Sequence, residues 1–230
     1  MRCPRSRLVV TERSLLRSPL RLARRLQRRW LPTRFDRIAA IGGWTQDVQL
    51  RFLMRQVRRL PDPSRIVELG VWQGRSALAM AEACRGTGKR VFAIDPWCDY
   101  DEGGGVVSGY LARYGVSSFE EVYQSFVRNR HALRLEPWVV TVRQASGDAA
   151  TGWAQGAIAL LFIDANHHYA AVTADLEAWR PHVQPDGLIC GDDWTWESVQ
   201  AAVRDFVSRH PGYRLDLPCA NTWALLAPEA

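Results

Sequence analysis

The chain has 230 residues, 47% hydrophobic and 23% charged, which is the range of one α/β domain with modest additions. Its formal net charge of +6 is unevenly spread: residues 1–37 hold twelve Arg against Glu12 and Asp36 and carry +10, leaving residues 38–230 at −4, a balance that argues against a nucleic-acid surface on the domain. Five Cys without a CxxC pair argue against structural zinc and a secreted disulfide scaffold, and apolar runs such as 157–163 are too short to span a bilayer.

In chain order, residues 13–30 alternate Leu with Arg on a helical pattern interrupted by Pro19. The segment lacks the apolar core and cleavage site of a signal peptide, so a cytoplasmic protein is expected. The basic arm 1–37 reads as a solvated or oligomer-packing helix, or as a peripheral contact with an anionic membrane surface. The domain is expected over 38–230, starting with a helix at about 45–60 that stops before Pro61-Asp62-Pro63.

Strands are expected at Arg65–Leu69, Arg90–Ile94, Val139–Arg143, Ile158–Ile163 and Leu188–Cys190, with two more near 213–217 and 222–226. Helical stretches at about 75–85, 169–180 and 196–209 separate most of them. This βαβ rhythm predicts a Rossmann-like, doubly wound, mostly parallel seven-stranded sheet with helices on both faces. The last two strands lie so close together that one must enter antiparallel. Residues 98–137, with Gly103-Gly104-Gly105 and a polar helix near 118–131, are too long for a plain connection and predict a lid or cap.

The richest segment is Val67–Ser76 (VELGVWQGRS), where Glu68 closes a buried strand, Gly70 and Gly74 bracket a turn, and a helix follows with unpaired N–H groups at its start. The E-x-G-x-x-x-G spacing departs from the dinucleotide fingerprint. The next strand ends in Asp95, placed to accept both hydroxyls of a ribose; Pro96 and Trp97 are positioned to cover an adenine face, with Gly147-Asp148-Ala149 at its edge. A turn or cap is the plainer alternative for Asp95.

With AIDPW, SGDA and the stretch from Phe162 to Trp194, these motifs resemble class I S-adenosylmethionine-dependent methyltransferases over residues 44–226. Within that superfamily the resemblance is to bacterial small-molecule and sugar O-methyltransferases of the macrocin, catechol and caffeoyl-CoA kinds. It implies that Glu68, Gly70 and Ser76 hold the methionine end of the cofactor, Asp95 the ribose, and Asp148 and Ala149 the adenine, with Val71, Gly74 and Asp164 also among the cofactor-binding residues.

Asp164 ends the fourth strand and Asp192-Asp193 end the fifth, so three carboxylates are expected at the edge where open α/β sheets bind ligands. Hard oxygen ligands select Mg²⁺ or another hard divalent cation, which lowers the pKa of an acceptor hydroxyl. The resemblance implies the same, except that Asp193 stands where metal-dependent relatives carry Asn. Alternatively Asp192 or Asp193 caps the following helix. His167 occupies a position where relatives often place a Lys base, and is expected to accept the acceptor's proton, with His168 as competitor. Asn166 stands where relatives commonly carry Asp. Trp194 and Trp196 are candidates for an aromatic wall.

The chain is thus expected to be a homo-oligomeric O-methyltransferase acting on a hydroxylated small molecule with no nucleic-acid partner. A metal-independent enzyme and a non-catalytic cofactor-binding protein are the alternatives.

Overall fold

The computed structural model describes residues 32–98 and 106–226; the arm pattern at 13–30 lies outside them. The described residues open with α1 (Arg34–Ala39) and α2 (Asp47–Arg59), followed by β1 (Arg65–Leu69), α3 (Arg75–Ala83) and β2 (Arg90–Ile94). Next come α4 (Val106–Arg113), α5 (Phe119–Leu133), β3 (Val139–Val142), α6 (Ser146–Thr151) and β4 (Ile158–Ile163). The last described elements are α7 (Tyr169–Trp179), β5 (Val183–Gly191), α8 (Glu197–Arg209), β6 (Arg214–Cys219) and β7 (Thr222–Leu226).

The strands form one seven-stranded sheet in the order β3-β2-β1-β4-β5-β7-β6. Pairing is parallel from β3 through β5, and β7 alone runs antiparallel, between β5 and β6. Both sheet faces are covered, which explains why β4 is apolar at every position (IALLFI) and buried throughout. Ile66, Ala93 and Phe162 point to one face, under α2, α3 and α5; Val67, Phe92 and Leu161 point to the other, under α6, α7 and α8.

Three expectations change. The boundary after residue 37 falls inside α1, which opens on a Thr33–Asp36 capping box and buries Ile38 completely. The segment 98–137 is more than a lid: α5 buries Val122, Phe126 and Leu133 in the layer that covers the sheet, because a right-handed β2-to-β3 crossover needs a helix there. Finally, β5 spans nine residues instead of three, absorbing Pro185-Asp186-Gly187 through a register shift against β4 between Ile158 and Leu160. Among the described residues no helix is long and apolar enough to cross a membrane.

Candidate active site

Strand order reverses between β1 and β4, and a ligand crevice forms outside the carboxyl ends of strands at such a point. The backbone ladder runs on into the loops that carry the candidate residues. Asp164 N–H donates to Leu69 O at 2.8 Å, Asp192 N–H to Ile163 O at 3.1 Å and Asp95 N–H to Val142 O at 3.1 Å. Three carboxylates separated in sequence thereby reach one edge.

The β1–α3 loop is shaped mainly by the protein's own packing. Gly70 has φ +82°, and a Cβ there would lie 2.1 Å from Asp164 O; Gly74, at φ +90°, would press its Cβ into the Phe126 ring. Both glycines thus admit a neighbouring segment of the chain, in addition to whatever ligand the loop takes. Asp95 Oδ2 accepts the Val71 and Trp72 N–H groups at 2.8 and 3.1 Å, and its Oδ1 accepts Trp97 N–H at 2.7 Å. These three bonds leave the carboxylate with acceptor capacity to spare. Burial raises the Asp95 pKa, opposed by these three N–H donors.

Trp97 departs from its expected place over an adenine. It is 2% exposed, stacks at 5.3 Å on Phe126 and donates Nε1–H to Trp72 O at 2.9 Å, because its left-handed backbone (φ 45°) turns the indole under α5. Pro96 stays half-buried at the edge. Gly147-Asp148-Ala149 forms the first turn of α6, with Asp148 exposed and Ala149 buried. A Cβ on Gly147 would meet nothing within 4 Å.

Glu68 is fully buried, and neither carboxylate oxygen has a hydrogen-bond partner. Burial pushes its pKa up to about 8, opposed by the nearby Ser76 hydroxyl and reinforced by the charge of Asp95. An orphaned buried carboxylate beside a glycine turn fits a cationic ligand group, as the ammonium and sulfonium of S-adenosylmethionine are.

Asp164, Asp192 and Asp193 line a cavity of about 10 Å³ together with Asn166 and His167, room for about one water. Burial, then the charges of Asp192, Asp193 and Glu68, holds the Asp164 carboxyl well above the usual range. Asp192 is 4% exposed, and burial lifts its pKa to about 6 against hydrogen bonds from Gln49, Asp193 N–H and Asn221. Burial also raises Asp193. The helix-cap alternative fails for both, since α8 begins at Glu197 with Trp196 at its N-cap.

This carboxylate set has the chemistry of a hard-cation site, yet among the described residues no group of three His, Cys, Asp or Glu is arranged to hold a metal ion. The expected triad of Asp164, Asp192 and Asp193 therefore shares a cavity without closing into a coordination shell. One reason is that Asp192 Oδ1 already accepts three N–H groups at 2.7 Å, from Gln49, Asn221 and Asp193. Another is that Asp164 Oδ2 faces the Thr45 hydroxyl at 3.4 Å.

His167 is half-buried against Trp196, ring centroids 4.1 Å apart, and burial followed by the charge of His168 lowers its pKa. Asn166 accepts His168 N–H at 2.8 Å and so builds the turn into α7. Trp196, 45% exposed, flanks His167 as an aromatic wall requires, whereas Trp194 lies beneath the Arg204 guanidinium.

Sequence reasoning missed Thr45, Gln49 and Asn221. Thr45 and Gln49 looked like the opening of an ordinary helix, and Asn221 like a turn residue. Nothing local ties them to acids up to 143 positions away. It also missed the rim formed by Trp44, Trp72 and Tyr114, whose ring centroids lie 5.0–5.8 Å apart.

The sheet is doubly wound, with Glu68 near the end of β1 and a glycine turn after it. Solved structures share the fold. They include the O-methyltransferase NovP (TM-score 0.63, 19% identity, 81% of this chain and 84% of that one). A SAM-dependent O-methyltransferase from Thermotoga maritima aligns with a TM-score of 0.62 at 13% identity, over 86% of this chain and 72% of that one. CalS11, a TDP-rhamnose 3'-O-methyltransferase of calicheamicin biosynthesis, aligns with a TM-score of 0.51 at 22% identity, over 78% and 77%. No curated protein matches by sequence. The family described as "Methyltransferase domain" matches residues 67–194, more than half of the 230 residues, and the chain belongs to that family.

Proposed function

We propose that the protein transfers the methyl group of S-adenosylmethionine to a hydroxyl of a small molecule, with Asp164, Asp192 and Asp193 serving a divalent cation such as Mg²⁺ and His167 serving as base. The observation that carries this is the meeting of three carboxylates and His167 in one cavity beside the β1–α3 loop. S-adenosylmethionine supplies, when bound, an electrophilic methyl on a sulfonium. The acceptor oxygen forms the new O–C bond as the C–S bond breaks, and that electron pair stays on sulfur as a neutral thioether. The hydroxyl proton passes to the His167 imidazole, which its lowered pKa keeps neutral and ready to accept. Trp196 shields one side of His167 and offers a face for the acceptor ring. That CalS11 acts on TDP-rhamnose supports a sugar hydroxyl as the acceptor class.

The second reading is a metal-independent methyltransferase, favoured by the three N–H donors that already balance Asp192. Both are tested by incubating the protein with methyl-labelled S-adenosylmethionine and a panel of nucleotide sugars and catechols, with and without EDTA. Label transfer that EDTA abolishes and Mg²⁺ restores supports the first reading. Full transfer after chelation supports the second, and label on no acceptor hydroxyl removes both.

A further inference from the structure

We propose that the exposed face of α2 docks on an anionic lipid surface. The buried Gln49, Leu50, Leu53, Met54 and Val57 fix which side of α2 faces the core. Arg51, Arg55, Arg58 and Arg59 lie exposed on the other side, with Val48 at its head one helical turn before Arg51. Val48 is 47% exposed, and Trp44, just before the helix, is 46% exposed. The acids of this region are already engaged. Asp47 pairs with Arg75 at 3.1 Å, and Asp36, which the charge of Arg51 also reaches, closes the α1 capping box with Thr33. Among the described residues Arg55, Arg58 and Arg59 form no ion pair.

A solvated helix face usually mixes the two signs, which offset one another a turn apart. From Arg51 to Arg59 no acid stands between the arginines. Two copies of such a face repel, so self-association does not fit it. A nucleic-acid backbone would leave Val48 and Trp44 without a use, and residues 38–230 carry a net −4. A bilayer interface takes both kinds of group: Arg is drawn to anionic headgroups, while Trp and apolar side chains enter the headgroup layer. Residues 1–31 add ten Arg against Glu12, and they join the fold at α1, where the Arg51 guanidinium lies 3.8 Å over the Phe35 ring. The most basic part of the sequence thus meets the fold on this same face. Thr45, between Trp44 and α2, faces Asp164 at 3.4 Å, so docking also brings the acid cavity close to the headgroups.

The test is co-sedimentation of the full chain with vesicles of phosphatidylcholine alone and of phosphatidylcholine mixed with phosphatidylglycerol. The wild type is expected on the mixed vesicles, less so as salt rises, and not on the neutral ones. Arg55→Gln, Arg58→Gln and Arg59→Gln combined should weaken that binding about 10–100-fold, since each Arg near the surface contributes about fivefold. Val48→Asp, which suits the first turn of a helix, should weaken it about tenfold by removing an apolar contact and adding a repelled charge. Arg204→Gln with Arg209→Gln, on α8 across the sheet, should leave it within about twofold. Residues 1–31 are unchanged in every variant, so these differences report the folded face. Should the triple variant not fold, Val48→Asp carries the same comparison. The proposal is overturned if the wild type does not bind the mixed vesicles, or if the α2 variants bind them as the wild type does. An equal loss in the α8 variant also overturns it, because the attraction is then one of net charge alone. Tighter retention on duplex DNA than on the mixed vesicles, lost in the same triple variant, overturns it by giving the face to a nucleic acid.

Discussion

Asp95 Oδ2 accepts the Val71 N–H at 2.8 Å, so the carboxylate that ends β2 holds the turn that follows β1. Trp72 N–H and Trp97 N–H join it, and three backbone donors converge on one half-buried side chain. Asp95 is therefore a builder of the cofactor loop before it is a ligand. Replacing it by Ala leaves those donors unpaired, at about 1.5–3 kcal/mol for a charge-assisted bond, and should weaken S-adenosylhomocysteine binding at least about tenfold. Asp95→Asn, which keeps one acceptor, should fall between. Calorimetry showing wild-type affinity for Asp95→Ala would separate the loop from the cofactor.

Glu68 makes stability depend on pH. Its folded pKa of about 8 lies above the ordinary 4.5, so the folded chain binds more protons than the unfolded one between those values. Its contribution is fully present below the ordinary value and is lost as pH rises through about 8. The raised carboxyls of Asp164 and Asp192 act in the same direction. Glu68→Gln should flatten the fall in stability and exceed the wild type in urea midpoint at alkaline pH. An unchanged pH slope would show that water or a cation reaches Glu68 in solution.

His167 supplies a kinetic signature. Because burial lowers its pKa, the imidazole is already neutral somewhat below its ordinary 6.5, and wild-type kcat/KM should level off early as pH rises. His167→Ala should reduce turnover by roughly 10²–10⁴-fold and keep rising with pH, as hydroxide replaces the missing base. A pH–rate profile on any acceptor that the wild type methylates checks this. Parallel profiles for the two proteins would move the proton elsewhere, with His168 next in line.

The start of the fold is testable by truncation. A chain beginning at Pro32 retains the Thr33–Asp36 capping box and the bonds from Arg34 to Leu133 O and from Arg37 to Ala132 O. One beginning at Ile38 loses all of them. The second should be less stable than the first by about 1–2 kcal/mol, the usual cost of a lost helix cap. Equal melting temperatures would make α1 an ornament of the domain.

How much of this could be read without coordinates depends on how local each cause is. The apolar run IALLFI of β4 could only be a strand buried on both faces, and the βαβ rhythm around it required a parallel sheet with its ligand edge after Leu69, Ile94 and Ile163. An acid directly after such a strand lies at that edge whatever else the chain does, which is why Asp95, Asp164 and Asp192 were legible. The short β6–β7 connection likewise required β7 to turn back. What the sequence withheld is everything set by side-chain direction between distant segments. Gln49 and Asn221 meet on one oxygen of Asp192 across 143 and 29 positions, and Trp97 turns under α5 because its backbone is left-handed. Hydrogen bonds of that reach leave no periodic trace, since only the assembled sheet brings their partners within 3 Å.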